Sequence, residues 1–210
     1  MLSCKINQVV FDNPILVASG TYGYGNEVKD IAQVESLGGI VTKSVTLEPR
    51  EGNKPPRIFE TRSGMLNSIG LANVGVKEFC SEKIPYLNEL DTNIIINIAG
   101  SSIEEYLKTL EILESSNGNH IGYEINISCP NVKEGGMEFG VNSKITEQLT
   151  YKMRQKTDKL LIMKLSPNVT SIADIAIASE QGGADAVSAI NTLVGMGIDI
   201  NNSKSRLSTV

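Results

Sequence analysis

Residues 121–140 read IGYEINISCPNVKEGGMEFG, a strand-like run that stops abruptly at Ser128, Cys129, Pro130 and Asn131. Proline has no N–H to give a sheet ladder and pushes its predecessor toward extended geometry, so Cys129 is expected just past the last strand pairing with its thiol exposed. Gly135 and Gly136 then let the loop fold back sharply. A thiol on a glycine-rich loop beyond a buried strand suits a nucleophile or a general base. A free cysteine is more often a buried apolar filler, but the proline and glycine neighbours argue against that here.

Two lysines and a set of asparagines extend the chemistry. Lys43 in GGIVTKSVT and Lys164 in LLIMKLSPN each follow apolar residues that read as strand interior. An ammonium there needs an anion or an electron-rich ring, because burial without a partner is costly. Either lysine alone could be snorkelling from a strand end; two on one face point to function. Asn67, Asn97, Asn126, Asn131 and Asn191 invite the same reading. A single asparagine usually marks a turn, whereas converging amides can recognise a planar, hydrogen-bond-rich ligand such as a pyrimidine or a flavin. The only histidine, His120, precedes its strand and is expected at the opposite, structural end. That leaves Cys129 as the proton acceptor of suitable character, activated where the loop and nearby lysines favour its thiolate.

The elements that must position these residues are short apolar runs at 15–18, 39–44, 94–98, 123–127, 160–165 and 186–190, rich in Val and Ile as buried parallel strands are. Between them lie capped helical patterns. Ser102 with Glu105 forms a capping box before Ile103, Tyr106, Leu107, Leu110 and Leu113. Asn142 or Ser143 caps a segment with Ile145, Leu149 and Met153; Ser171 precedes Ile172, Ile175 and Ala176, and Gly182-Gly183 ends that helix. The one long connection, 46–93, carries Pro49, Pro55-Pro56 and NSIGLAN, with residues 76–90 helical until Pro85 interrupts them.

Strands alternating with helices build either a doubly wound sheet or a (β/α)8 barrel. Gly20, Gly23 and Gly25 have the wrong spacing for a dinucleotide fingerprint. Ser19, Lys43, Asn97, Asn126 with Cys129, Lys164 and Asn191 all fall at or near strand ends, and in a TIM barrel those ends meet at the catalytic face. The fold class expected is therefore α/β, a TIM (β/α)8 barrel with about six of its eight βα units, as a single domain over residues 1–210.

Composition narrows the partners. The net charge is -5 and no basic run is interleaved with aromatics, which disfavours nucleic acid. Cys4, Cys80 and Cys129 include no CxxC pair, so reduced thiols, no metal site and a cytoplasmic setting are expected. The N-terminus matches neither a secretory signal nor a membrane anchor.

NISCPNVKEGGMEFG, supported by NPILVASGT, VTKSVT, NSIGLAN, INIAG, MKLSPNVTSI and AINTLVGMGID, resembles the dihydroorotate dehydrogenases, specifically the class 1B catalytic subunits, from about Asn13 to Asn202. The resemblance implies a TIM barrel that holds FMN and oxidises dihydroorotate to orotate in pyrimidine biosynthesis. It implies Cys129 as the base for the C5 proton, and Lys43, Asn67, Ser68, Ile69, Gly70, Leu71, Asn126, Asn131, Asn191 and Thr192 as substrate contacts. Ser19, Lys43, Ser44, Asn97, Asn126, Lys164 and Ile190 are implied as FMN contacts, with Lys164 stabilising charge on the reduced ring. It further implies a homodimer and a partner subunit whose FAD and [2Fe–2S] cluster pass electrons to NAD. A dihydropyrimidine dehydrogenase-like flavin domain and a non-catalytic truncated barrel are the alternatives. Because an eight-stranded barrel typically needs about 250 residues, the family's C-terminal third, with the loops that hold the FMN phosphate, is expected to be missing, and weak FMN binding by the 210-residue chain is expected with it.

Overall fold

The computed structural model describes residues 2–30, 32–128, 130–131 and 137–208. Strands β1 (Leu16–Val17), β2 (Gly39–Val41), β3 (Asn93–Ile98), β4 (Gly122–Asn126), β5 (Leu160–Leu165) and β6 (Ala186–Ala189) pair in chain order into one parallel, 6-stranded sheet. Phe11 lies in a single buried cluster with Val41, Ile95, Leu160 and Ile162, against which Leu16 and Ala186 also pack. Strands from one edge of the sheet to the other thus share one small cluster on its concave side, as they do when a sheet curls into part of a barrel. The fold is that of a TIM barrel, with six of its strands in this chain.

The convex face carries the helices: α1 (residues 75–87), α2 (Ile103–Glu114), α3 (Ser143–Arg154) and α4 (Ile172–Gln181). Ile94, Ile96, Ile98, Tyr123, Ile125, Leu161, Met163 and Leu165 turn toward them and form the larger core with Tyr106, Leu110, Leu149 and Ile175. The strand period of two separates these outward residues from the inward ones. Caps mark the helix starts as the sequence pattern suggests. Asn142 Oδ1 accepts from the Ile145 N–H at 3.2 Å, and Ser171 Oγ from the Asp174 N–H at 3.4 Å. Ser102 Oγ accepts from the Glu105 N–H at 3.3 Å, but the capping box is not reciprocal: the Glu105 carboxylate turns instead to the N–H and hydroxyl of Ser101, at 2.8 and 2.6 Å.

Three features depart from the sequence pattern. Pro85 does not interrupt α1, because a π-helical turn, Phe79–Lys83, precedes it and the proline falls at the start of a fresh α-helical turn, where its missing N–H forfeits no bond. An antiparallel hairpin, Cys4–Ile6 with Val9–Phe11, plugs the barrel where the strands begin and supplies Phe11. The long connection contains a second hairpin, Ile58–Thr61 with Gly64–Asn67. Across it packs a third, Ile198–Asp199 with Lys204–Ser205: the Arg206 guanidinium lies 5.1 Å from the Phe59 ring centre, and the Ser208 N–H donates to Pro56 O at 3.0 Å.

At the strand-start end, His120 is buried and its Nε2 lies 2.7 Å from Tyr123 Oη. Tyr123 gives its own proton to Glu114 Oε1 at 2.8 Å, so Nε2–H of His120 is the donor to Tyr123 and the ring is neutral. Burial, helped by the Lys159 charge and opposed by that of Glu114, lowers the imidazole from 6.5 to about 4. Below pH 6.5 the unfolded chain takes up a proton that the folded chain refuses. This contribution to stability is therefore complete above pH 6.5 and drains away between 6.5 and about 4, by about 3 kcal/mol in total. Burial pushes Glu114 up, but hydrogen bonds from Thr157, Tyr123 and Lys159 bring it below its ordinary 4.5, so its own loss comes at lower pH. Urea midpoints measured across the His120 window should fall with pH in the unsubstituted protein and stay nearly level in His120→Gln. A level profile in the unsubstituted protein would contradict this account.

Candidate functional site

Alternation along the strands brings five polar residues onto the concave face. The register aligns Asn97 with Glu124 across β3 and β4, and Lys164 with Asn126 and Ser188 across β5, β4 and β6. Asn97 is 0% exposed; its Nδ2 donates to Glu124 Oε2 at 2.5 Å. Lys164 Nζ lies 3.7 Å from the same oxygen, with both side chains buried. Asn97 Oδ1, equally buried, has no hydrogen-bond partner among the described residues. Glu124 and Lys164 border a cavity of about 290 Å³ whose wall is otherwise mostly apolar, with Val17, Ala18, Ser188 and Ile190 around it.

A second cluster sits one step further toward the strand ends. Asn126 Oδ1 accepts from Asn191 Nδ2 at 2.9 Å and from the Ser128 N–H at 3.2 Å, while Asn191 Nδ2 also reaches Ser128 Oγ at 2.9 Å. The Asn191 N–H is held by Leu165 O at 2.9 Å, and its Oδ1 receives the Thr192 N–H at 2.8 Å. Beneath them the buried Tyr106 of α2 donates to Asn126 O at 2.6 Å, pinning the end of β4 to the helix layer.

The remaining sequence-derived residues are placed with less company. Ser19 follows β1 and is half-buried, and Ser44, just past β2, is buried. Lys43, between β2 and Ser44, is half-buried, and its N–H donates to Gly23 O at 2.9 Å. Ile190 is exposed beside the cavity. Asn67 closes the second hairpin and is exposed, while Ser68, Ile69, Gly70 and Leu71 after it are half-buried. Gly70 has φ +73°, and a Cβ there would stand 2.6 Å from the Asn53 N atom; Leu71 shares the left-handed region at φ 57°. That backbone is held by Asn73, whose Nδ2 donates to Leu71 O at 2.8 Å and whose Oδ1 accepts from Gly75 N–H at 2.9 Å. The structure thus links Asn97 to Lys164 through Glu124, and joins Asn126 with Asn191 and Thr192. Cys129, Gly135 and Gly136 lie outside the described residues, and Asn131 is placed by its backbone alone, opposite Met137.

Sequence reasoning missed Glu124, Ser128 and Tyr106. Glu124 had a legible signal, an acid between Tyr123 and Ile125 in an otherwise apolar strand, which is the criterion that singled out Lys43 and Lys164. Tyr106 read only as one member of a helix's apolar face.

The family model described as dihydroorotate dehydrogenase matches residues 1–209. The protein named dihydroorotate dehydrogenase B (NAD(+)), catalytic subunit, of Bacteroides thetaiotaomicron is 49% identical over 209 residues, covering 100% of this chain and 69% of that protein. Its namesake in Geotalea daltonii is 46% identical over 209 residues, 100% of this chain and 68% of the relative. That of Thermoanaerobacter pseudethanolicus is 45% identical over 200 residues, 95% and 66% respectively.

Proposed function

The chain belongs to the dihydroorotate dehydrogenase family, and from that premise we propose that it oxidises dihydroorotate to orotate in pyrimidine biosynthesis. The observation that carries the reading is the concave-face constellation: a buried ammonium at the wall of one cavity, a buried amide with an orphaned acceptor that shares Glu124 with it, and linked amides at the strand ends. FMN, when bound, supplies the hydride acceptor for this oxidation.

The residues fit that group by their chemistry. A flavin's pyrimidine edge alternates carbonyl oxygens with an N–H. Asn97 Oδ1 is a buried acceptor in want of a donor, and Lys164, which shares Glu124 with Asn97, is a cation at the cavity wall. Ser19, Lys43, Ser44, Asn126 and Ile190 complete the proposed cofactor wall. Lys164 holds positive charge where negative charge develops as the hydride leaves the substrate's C6. Lys43, Asn67, Ser68, Ile69, Gly70, Leu71, Asn126, Asn131, Asn191 and Thr192 orient a ring bearing carbonyls, N–H groups and a carboxylate. Cys129, as thiolate, takes the C5 proton, so that loss of H⁻ from C6 and H⁺ from C5 leaves the C5–C6 double bond of orotate.

The relatives are named as NAD(+) catalytic subunits, so each works beside another subunit. For this chain we infer a homodimer of one domain per chain, in the cytoplasm. A partner subunit with FAD and a [2Fe–2S] cluster then relays the electrons to NAD. No helix among the described residues is long and apolar enough to cross a membrane. Neither alternative, a dihydropyrimidine dehydrogenase-like domain or a non-catalytic module, draws support from relatives that share the dihydroorotate name at 45% identity or more.

The deciding experiment adds dihydroorotate or dihydrouracil anaerobically to the protein in saturating FMN. Dihydroorotate should bleach the flavin's visible absorbance and dihydrouracil should not. The reverse preference would assign the site to a different pyrimidine, and no bleaching with either would leave a protein without this activity.

A further inference from the structure

Glu124 is an acid inside the barrel that the proposed chemistry does not use. It is 4% exposed, and the inward residues around it, Val41, Ile95 and Ile162, are apolar. Among the described residues its near cation is Lys164, at 3.7 Å, and its close hydrogen bond comes from Asn97 Nδ2, at 2.5 Å. Among the described residues bordering the cavity, Glu124 and Lys164 alone are titratable. In an apolar surround each of these three groups depends on the others for satisfaction.

An amide has two different ends, and paired with Lys164 the Glu124 carboxylate is an acceptor. It therefore draws the NH2 end of Asn97 toward itself and leaves the carbonyl end without a partner. We propose that Glu124 is a positioning residue for the cofactor site: it orients Asn97 so that Oδ1 is left to accept from a ligand N–H, and it balances the charge of Lys164 at the cavity wall. The assignment rests on the flavin reading given above for the ligand's identity, and on the three side chains alone for the orientation.

A swap of polarity tests it. Asn97→Asp by itself sets two carboxylates face to face in a buried site and should lower the folding equilibrium constant, read from urea unfolding of the flavin-free protein, by about a hundredfold. Adding Glu124→Gln supplies an NH2 that now donates in the opposite direction, keeps one negative charge beside Lys164, and should recover at least about tenfold of that loss. Glu124→Gln alone removes the balancing charge. It should raise the midpoint potential of bound FMN, favouring the reduced over the oxidised flavin by about tenfold, whereas the double variant should return close to the unsubstituted value. A double variant no more stable than Asn97→Asp, or a potential unmoved by Glu124→Gln, overturns the proposal. If the unsubstituted protein takes up no FMN at saturation, the flavin reading fails, and the urea comparison still decides the role of Glu124.

Discussion

Cys129→Ser should slow reduction of FMN by dihydroorotate by about two to four powers of ten at neutral pH while leaving the fold and FMN binding intact, the usual worth of a positioned general base. A hydroxyl is a far weaker acid than a thiol, so at neutral pH almost no serine is present as the alkoxide that would accept the C5 proton. Ser128, the residue before it in sequence, is tied by its N–H to Asn126 and by its hydroxyl to Asn191, two of the proposed substrate amides. Stopped-flow absorbance at saturating FMN and substrate reads the effect, and visible spectra of the bound flavin confirm that the variant is loaded. A reduction rate equal to that of the unsubstituted protein would remove Cys129 from the reaction.

Lys164→Ala should act on two fronts. Truncation leaves the Glu124 carboxylate buried among Ile162, Val41 and Ile95 without its cation, and breaking such a pair typically costs about 3–5 kcal/mol of stability. The same change removes the cation beside the proposed flavin, so FMN retention and its rate of reduction should fall more than affinity for orotate. Urea unfolding reads the first effect and an FMN titration the second. If orotate binding collapses while the flavin's spectrum and potential hold, Lys164 serves the substrate instead. If stability is unchanged, the ion pair with Glu124 contributes little.

From the sequence alone, the alternation of apolar strands with capped helices determined the six-stranded parallel sheet, because burial on two faces and the unpaired N–H groups of a helix start each demand particular residues at particular spacings. Asn142 and Ser171 stand as caps for that reason, and Gly183, at φ +96°, ends α4 for the same kind of local reason. The strand-end rule likewise picked out Asn97, Asn126, Lys164 and Asn191 without any knowledge of which touch. What the tertiary structure alone decided is the pairing. That Asn97 meets Glu124 rather than Lys164 directly follows from the parallel register between β3 and β4, and that Asn126 meets Asn191 across 65 residues follows from the curl of the sheet. The plug of the N-terminal hairpin belongs to the same class, since Phe11 meets Val41, Ile95, Leu160 and Ile162 from segments far apart in the chain. Periodicity reports which face a residue occupies, whereas a partner's identity is set by register and closure, which local sequence does not encode.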